Sequence, residues 1–114
     1  MIDWGRVREL HDEIGDESFT EVFELFLEEV EAVLGHLGNC MEKLGDDLHF
    51  LKGCAWNLGF TEFGAVCQKG ERQVAGGQAG EVDLATIFAN YSASKTAFLA
   101  GVGAYCKSCG ARTS

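Results

Sequence analysis

LHFLKGCAWNLGF, residues 48–60, decides the fold. At about 100° per residue, Leu48, Leu51, Ala55 and Leu58, with Leu44 before them, fall within one arc of about 80°. Such an arc is the buried stripe of an amphipathic helix. His49 lies about 140° from the centre of that arc, so it belongs to the exposed side. Lys52 and Gly53 follow at i+3 and i+4, where side chains on a helix are neighbours. Gly45 sits one turn before His49, and Trp56 lies two turns along the same side. Gly53 asks for a reason, because glycine inside a helix costs about 1 kcal/mol relative to alanine.

Working outward, the apolar spacing is helical almost throughout, and the 114 residues contain no proline. The spacing predicts a short first helix over 3–14, with Trp4, Val7, Leu10 and Ile14 on one side. GDES (15–18) reads as a break and a cap. A second helix is expected over 18–37, with Phe19, Val22, Phe23, Phe26, Leu27, Val30, Val33, Leu34 and Leu37 as its stripe. After a turn at Gly38 and Asn39, the third helix runs over 40–58. A fourth is expected over 61–74, with Phe63, Val66 and Cys67 facing in. AGGQAG (75–80) reads as a flexible loop. The last helix is expected over 82–106, presenting Leu84, Ile87, Phe88, Tyr91, Phe98, Leu99, Val102 and Tyr105. Long amphipathic helices with short connections predict an all-α fold. It would be an up-and-down four-helix bundle with a short additional N-terminal helix. One domain over 1–114 is expected, with a disordered tail after about residue 106.

Charge narrows the partners. Eighteen acidic residues against nine basic ones leave a net charge of −9. Phosphate backbones need a basic footprint, so nucleic acid is a poor partner. An anionic membrane is disfavoured for the same reason. No apolar run reaches the roughly 18 residues of a membrane span, and MIDWGRVREL lacks the apolar stretch of a signal peptide. Five cysteines without a disulfide-like framework fit reduced thiols. These features together predict a cytoplasmic chain.

The surroundings of His49 suggest chemistry. With no side chain at Gly53, one edge of the imidazole is open to a bulky group or another backbone. Lys52 places a positive charge beside whatever binds there, and an anion is its natural match. Neutral imidazole is nucleophilic at pH 7, so a phosphoryl group on the ring fits. Lys52 would offset charge on the phosphoryl oxygens. Against this stands the plainer reading: a surface histidine is usually only that, and a nearby lysine is usually solvated.

HFLKGCAWNLG, residues 49–59, resembles the H-x-L-K-G-x(5)-G signature of histidine-containing phosphotransfer (HPt) domains. His49, Leu51, Lys52, Gly53, Asn57, Leu58 and Gly59 carry the match. CQKGE (67–71) resembles the cysteine-led segment of the family's next helix, and FTEVFELFLEEV (19–30) its Phe-rich preceding helix. Cys54 and the bulky Trp56 depart from the usual pattern, and GDDL before His49 is acidic. The resemblance implies that His49 accepts a phosphoryl group from a hybrid kinase or a receiver aspartate and passes it to a response-regulator receiver. Lys52 would neutralise the phosphoryl group, and Gly53 would leave room for the receiver's loops. Gly45, Asp46 and Trp56 would contact the partner. Mg²⁺ is expected on the receiver only, so the chain would need no metal or other cofactor of its own. It would act as a carrier, without kinase activity and as a monomer.

Other features carry less. Cys106-x-x-Cys109 is a single pair, and a zinc site would want two more ligands. Cys40, Cys54 and Cys67 read as small packing residues. His11 and His36 lack the lysine–glycine setting. The competing function class is a binding-only helical bundle that docks receiver or kinase domains without transfer. A dimeric adaptor on the same bundle is a third.

Overall fold

The computed structural model describes residues 2–102. Five α-helices follow one another: α1 (Trp4–Ile14), α2 (Asp16–Leu34), α3 (Met41–Leu58), α4 (Thr61–Ala75) and α5 (Leu84–Val102). Among the described residues the fold is all-helical, and the single extended feature is an isolated antiparallel bridge between Ile2 and Phe60. The expected end of the last helix, the C-x-x-C pair and the tail after residue 106 lie outside the described residues. Among the described residues, no helix is long and apolar enough to cross a membrane.

Three helices start and stop within a residue of the sequence reading, and the other bounds differ for local reasons. α2 starts at Asp16 rather than Ser18, because Gly15, at φ 82°, ends α1 and lets the chain restart at once. No side chain caps α2; Asp16 and Glu17 occupy its first turn, where acidic groups complement the helix dipole. α2 stops at Leu34 rather than Leu37. His36 and Leu37 then bond back three residues, to Val33 and Leu34, and Leu37 stays buried in that tightened turn. α5 starts at Leu84 rather than Val82, because the Asp83 carboxylate accepts from Thr86 N–H (3.0 Å) and Thr86 Oγ1 (2.7 Å). The loop before it holds a 3₁₀ turn, Ala79–Glu81.

The core is aromatic. Phe19, Phe23, Phe60, Phe63, Tyr91 and Phe98 are buried and meet in edge-on or tilted pairs 5.2–6.3 Å apart. Leu44, Leu48, Leu51, Ala55 and Leu58 all face it from α3, as their spacing predicts. Phe88 departs from the expected stripe of α5 and is exposed. α1 closes one end: Val7 is fully buried, and Trp4 stacks parallel to Phe98 at 6.0 Å.

The turn that orients the site is the link between α3 and α4. Gly59 ends α3 in the left-handed region, at φ 85°. Its carbonyl accepts from Asp3 N–H at 2.7 Å, so the N-terminal segment clamps the turn. α3 and α4 then run back along each other over most of their lengths, and α5 packs against α4 as well.

Candidate functional site

Three residues meet where α3 and α4 lie side by side. His49 is on α3 with 71% of its side chain exposed. Its Nδ1 lies 2.7 Å from Glu71 Oε2 on α4. The other oxygen of that carboxylate accepts from Lys52 Nζ at 2.6 Å. Glu71 therefore bridges the histidine and the lysine. The Lys52 ammonium, first, holds the Glu71 carboxyl below the usual carboxylate range; burial opposes it, and the His49 ring adds a lesser lowering.

That geometry selects a tautomer. An ionised carboxylate can only accept, so the hydrogen bond needs the proton on Nδ1. In the neutral ring, Nε2 then carries the free lone pair, and the ring is held by one edge with the other in solvent. The arrangement can present a fixed, unprotonated nitrogen to an incoming electrophile.

Gly53 faces open space: a Cβ there would meet nothing within 4 Å. Lys52 is half-buried along the α3–α4 seam rather than free, because Glu71 holds it. Asp46 is exposed on the same helix. Asp47 turns away toward His36, whose Nδ1 is 3.7 Å from its carboxylate. Trp56 is 42% exposed, and its indole lies across α4 at Gly64, where a Cβ would come within 3.1 Å of three ring atoms. It both packs on the flank of the fold and offers an aromatic face on the His49 side.

Gly45 lies apart from the open surface on which the sequence reading placed it. It is half-buried where α4 passes closest, and a Cβ there would stand 3.1 Å from Val74 Cγ1. Its lack of a side chain admits α4. Cys54 and Cys67 are buried, and burial pushes the Cys67 thiol up to about 12. His11 is paired with Asp16 at 2.9 Å, far along the chain from this cluster.

Glu71 is the residue that sequence reasoning passed over. A signal existed in the hairpin. With the turn at Phe60, His49 stands eleven residues before it and Glu71 eleven after, so antiparallel helices bring the two level.

The family model described as Hpt domain matches residues 21–97, from the first turns of α2 into α5. No curated protein and no solved structure matches the chain.

Proposed function

The chain belongs to the Hpt domain family, and from that membership we propose that His49 is its phospho-acceptor. Hpt domains serve phosphotransfer in phosphorelays, where they interact with receiver domains and kinases. The observation that carries the assignment to His49 is the 2.7 Å contact of Nδ1 with Glu71 on a ring that is otherwise exposed.

The step is a phosphoryl exchange. The Nε2 lone pair attacks phosphorus, the aspartyl O–P bond of a phosphorylated receiver breaks, and its electron pair stays on the aspartate oxygen. Glu71 supplies the tautomer and fixes the ring plane. Lys52, one turn along α3, offers its charge to the phosphoryl oxygens. Gly53 leaves the approach open. Asp46 and Trp56 rim that approach, and Trp56 is the aromatic anchor for a partner surface. Gly45 contributes by letting α4, and with it Glu71, come close. The donor is a hybrid kinase or a receiver, and onward transfer goes to a receiver aspartate. The acidic pocket and Mg²⁺ belong to that receiver, and no metal is assigned to this chain.

The same proposal takes α2–α5 as an up-and-down four-helix bundle with α1 as its short N-terminal addition. The bundle forms a single domain over 1–114 that acts as a monomer in the cytoplasm.

Phosphoryl transfer from a phosphorylated receiver, compared with His49→Gln, tests the reading. Label on the parent protein that is acid-labile and alkali-stable, and that His49→Gln abolishes, is the expected result. A folded protein that binds receivers yet takes no label on His49 would make it a binding-only bundle instead.

A further inference from the structure

Resting on His49 as the acceptor, we propose that Glu71 keeps His49 Nδ1 protonated after phosphorylation, so that the carrier holds its cargo as a phosphoimidazolium.

In the neutral resting ring that attacks, the proton sits on Nδ1, facing the carboxylate 2.7 Å away. Nε2 then donates its lone pair to phosphorus, and the aspartyl oxygen leaves with the electron pair of the O–P bond. No proton moves in that step. The ring gains one positive charge and still bears the Nδ1 proton. In water such a ring would release it.

Here release is opposed by geometry. Losing the proton would leave the Nδ1 lone pair facing Glu71 Oε2 across 2.7 Å. Two acceptors at hydrogen-bond distance, with no proton between them, repel. The proton is not transferred to Glu71 either, because Lys52 Nζ, at 2.6 Å from Oε1, favours the ionised carboxylate. From α4 the ring thus faces one negative charge. On α3 its charged neighbours are Lys52, which is committed to the same carboxylate, and Asp46 one turn back.

The consequence is a carrier that needs no proton from outside. A protonated ring is a better leaving group than a neutral one would be. When a receiver aspartate attacks, the N–P bond breaks and its electron pair returns to Nε2. What remains is neutral imidazole with its proton on Nδ1, the tautomer that began the cycle. Glu71 would make the phosphorylated state short-lived and readily passed on.

The test uses the full chain with ¹⁵N-labelled histidine and phosphoramidate as a small donor. The N–P bond of phosphoramidate breaks, ammonia leaves, and the Nε2–P bond forms. Nδ1 is read by its ¹⁵N shift about one pH unit above the ordinary imidazole value of ~6.5. His49→Gln identifies the ring. The parent protein should show a protonated Nδ1. Glu71→Gln, whose amide can donate to a bare Nδ1, should show an unprotonated one, and so should Glu71→Ala. Their phosphohistidines should also outlast the parent's by about tenfold. An identical Nδ1 signal in the parent protein and both folded variants would overturn the proposal while leaving His49 as the acceptor. A phosphorus signal that survives in His49→Gln, with none lost, would instead remove the reading on which the proposal rests.

Discussion

Lys52 Nζ and Glu71 Oε1 stand 2.6 Å apart, joining α3 to α4 beside the exposed imidazole. The pair is partly solvent-exposed, and such pairs contribute about 0–1 kcal/mol to stability. On the proposed phosphotransfer, its value lies in holding a cation beside the His49–Glu71 pair and in keeping Glu71 ionised. Lys52→Met should therefore leave the urea midpoint nearly unchanged. Transfer from a phosphorylated receiver should slow by about tenfold, equivalent to about 1.4 kcal/mol of barrier. Equal loss of stability and transfer would point to a structural role for Lys52.

Gly53 separates access from stability. Nothing lies within 4 Å of a Cβ built there, and the residue is mid-helix. Gly53→Ala should stabilise the fold by about 1 kcal/mol. Gly53→Gln should also be tolerated by the fold but fill the approach to His49. Transfer from a receiver should fall about tenfold or more in Gly53→Gln, while phosphorylation by phosphoramidate stays near the parent rate. A matching fall with the small donor would mean that Gly53 does more than admit a protein partner.

Gly59 is a position of the opposite kind. Its φ of 85° is one that side chains rarely adopt, and a Cβ would stand 2.8 Å from Asp3 O. Gly59→Ala should cost about 1–3 kcal/mol. The loss is measured as a lower urea midpoint, with the Asp3–Gly59 hydrogen bond less protected from exchange. A midpoint within error of the parent's would show that the N-terminal clamp yields freely.

His11 gives the fold a pH dependence away from the site. Its Nε2 lies 2.9 Å from Asp16 Oδ1 across the α1–α2 joint, and that hydrogen bond raises the ring above its ordinary 6.5 against a smaller desolvation effect. A raised group stabilises the folded state fully below the unfolded value and loses that contribution as pH rises through the folded value. Thermal stability should thus decline from pH 6 toward pH 8 by more in the parent protein than in His11→Gln. Parallel pH profiles for the two proteins would remove His11 from this account.

Much of the molecule was legible along the chain. The α3 stripe, the exposed side of His49 and the open space at Gly53 follow from a period of 3.6 residues, which is a local property. The HFLKG pattern was readable for the same reason, since His49, Lys52 and Gly53 share one helix side while Leu51 joins the buried stripe. Phe88 misled because its spacing suits the α5 stripe, yet it is exposed; that outcome depends on which neighbours cover each flank. The start of α2 misled because Gly15 alone made the break expected of GDES, without a side-chain cap.

The sequence by itself thus determined where helices form, which face of each is apolar, and that His49, Lys52 and Gly53 share one surface. Beyond the equal spacing of His49 and Glu71 about Phe60, tertiary structure decided which residues of different helices meet. Glu71 reaches His49 and Lys52, Trp56 lies on Gly64, and Gly45 admits Val74, because the tight turn at Gly59 and Phe60 sets α3 against α4 in one register. Helical periodicity orients a side chain about its own axis and says nothing of the neighbouring axis. Contacts between axes are settled by burial of both stripes at once, which only the folded chain accomplishes.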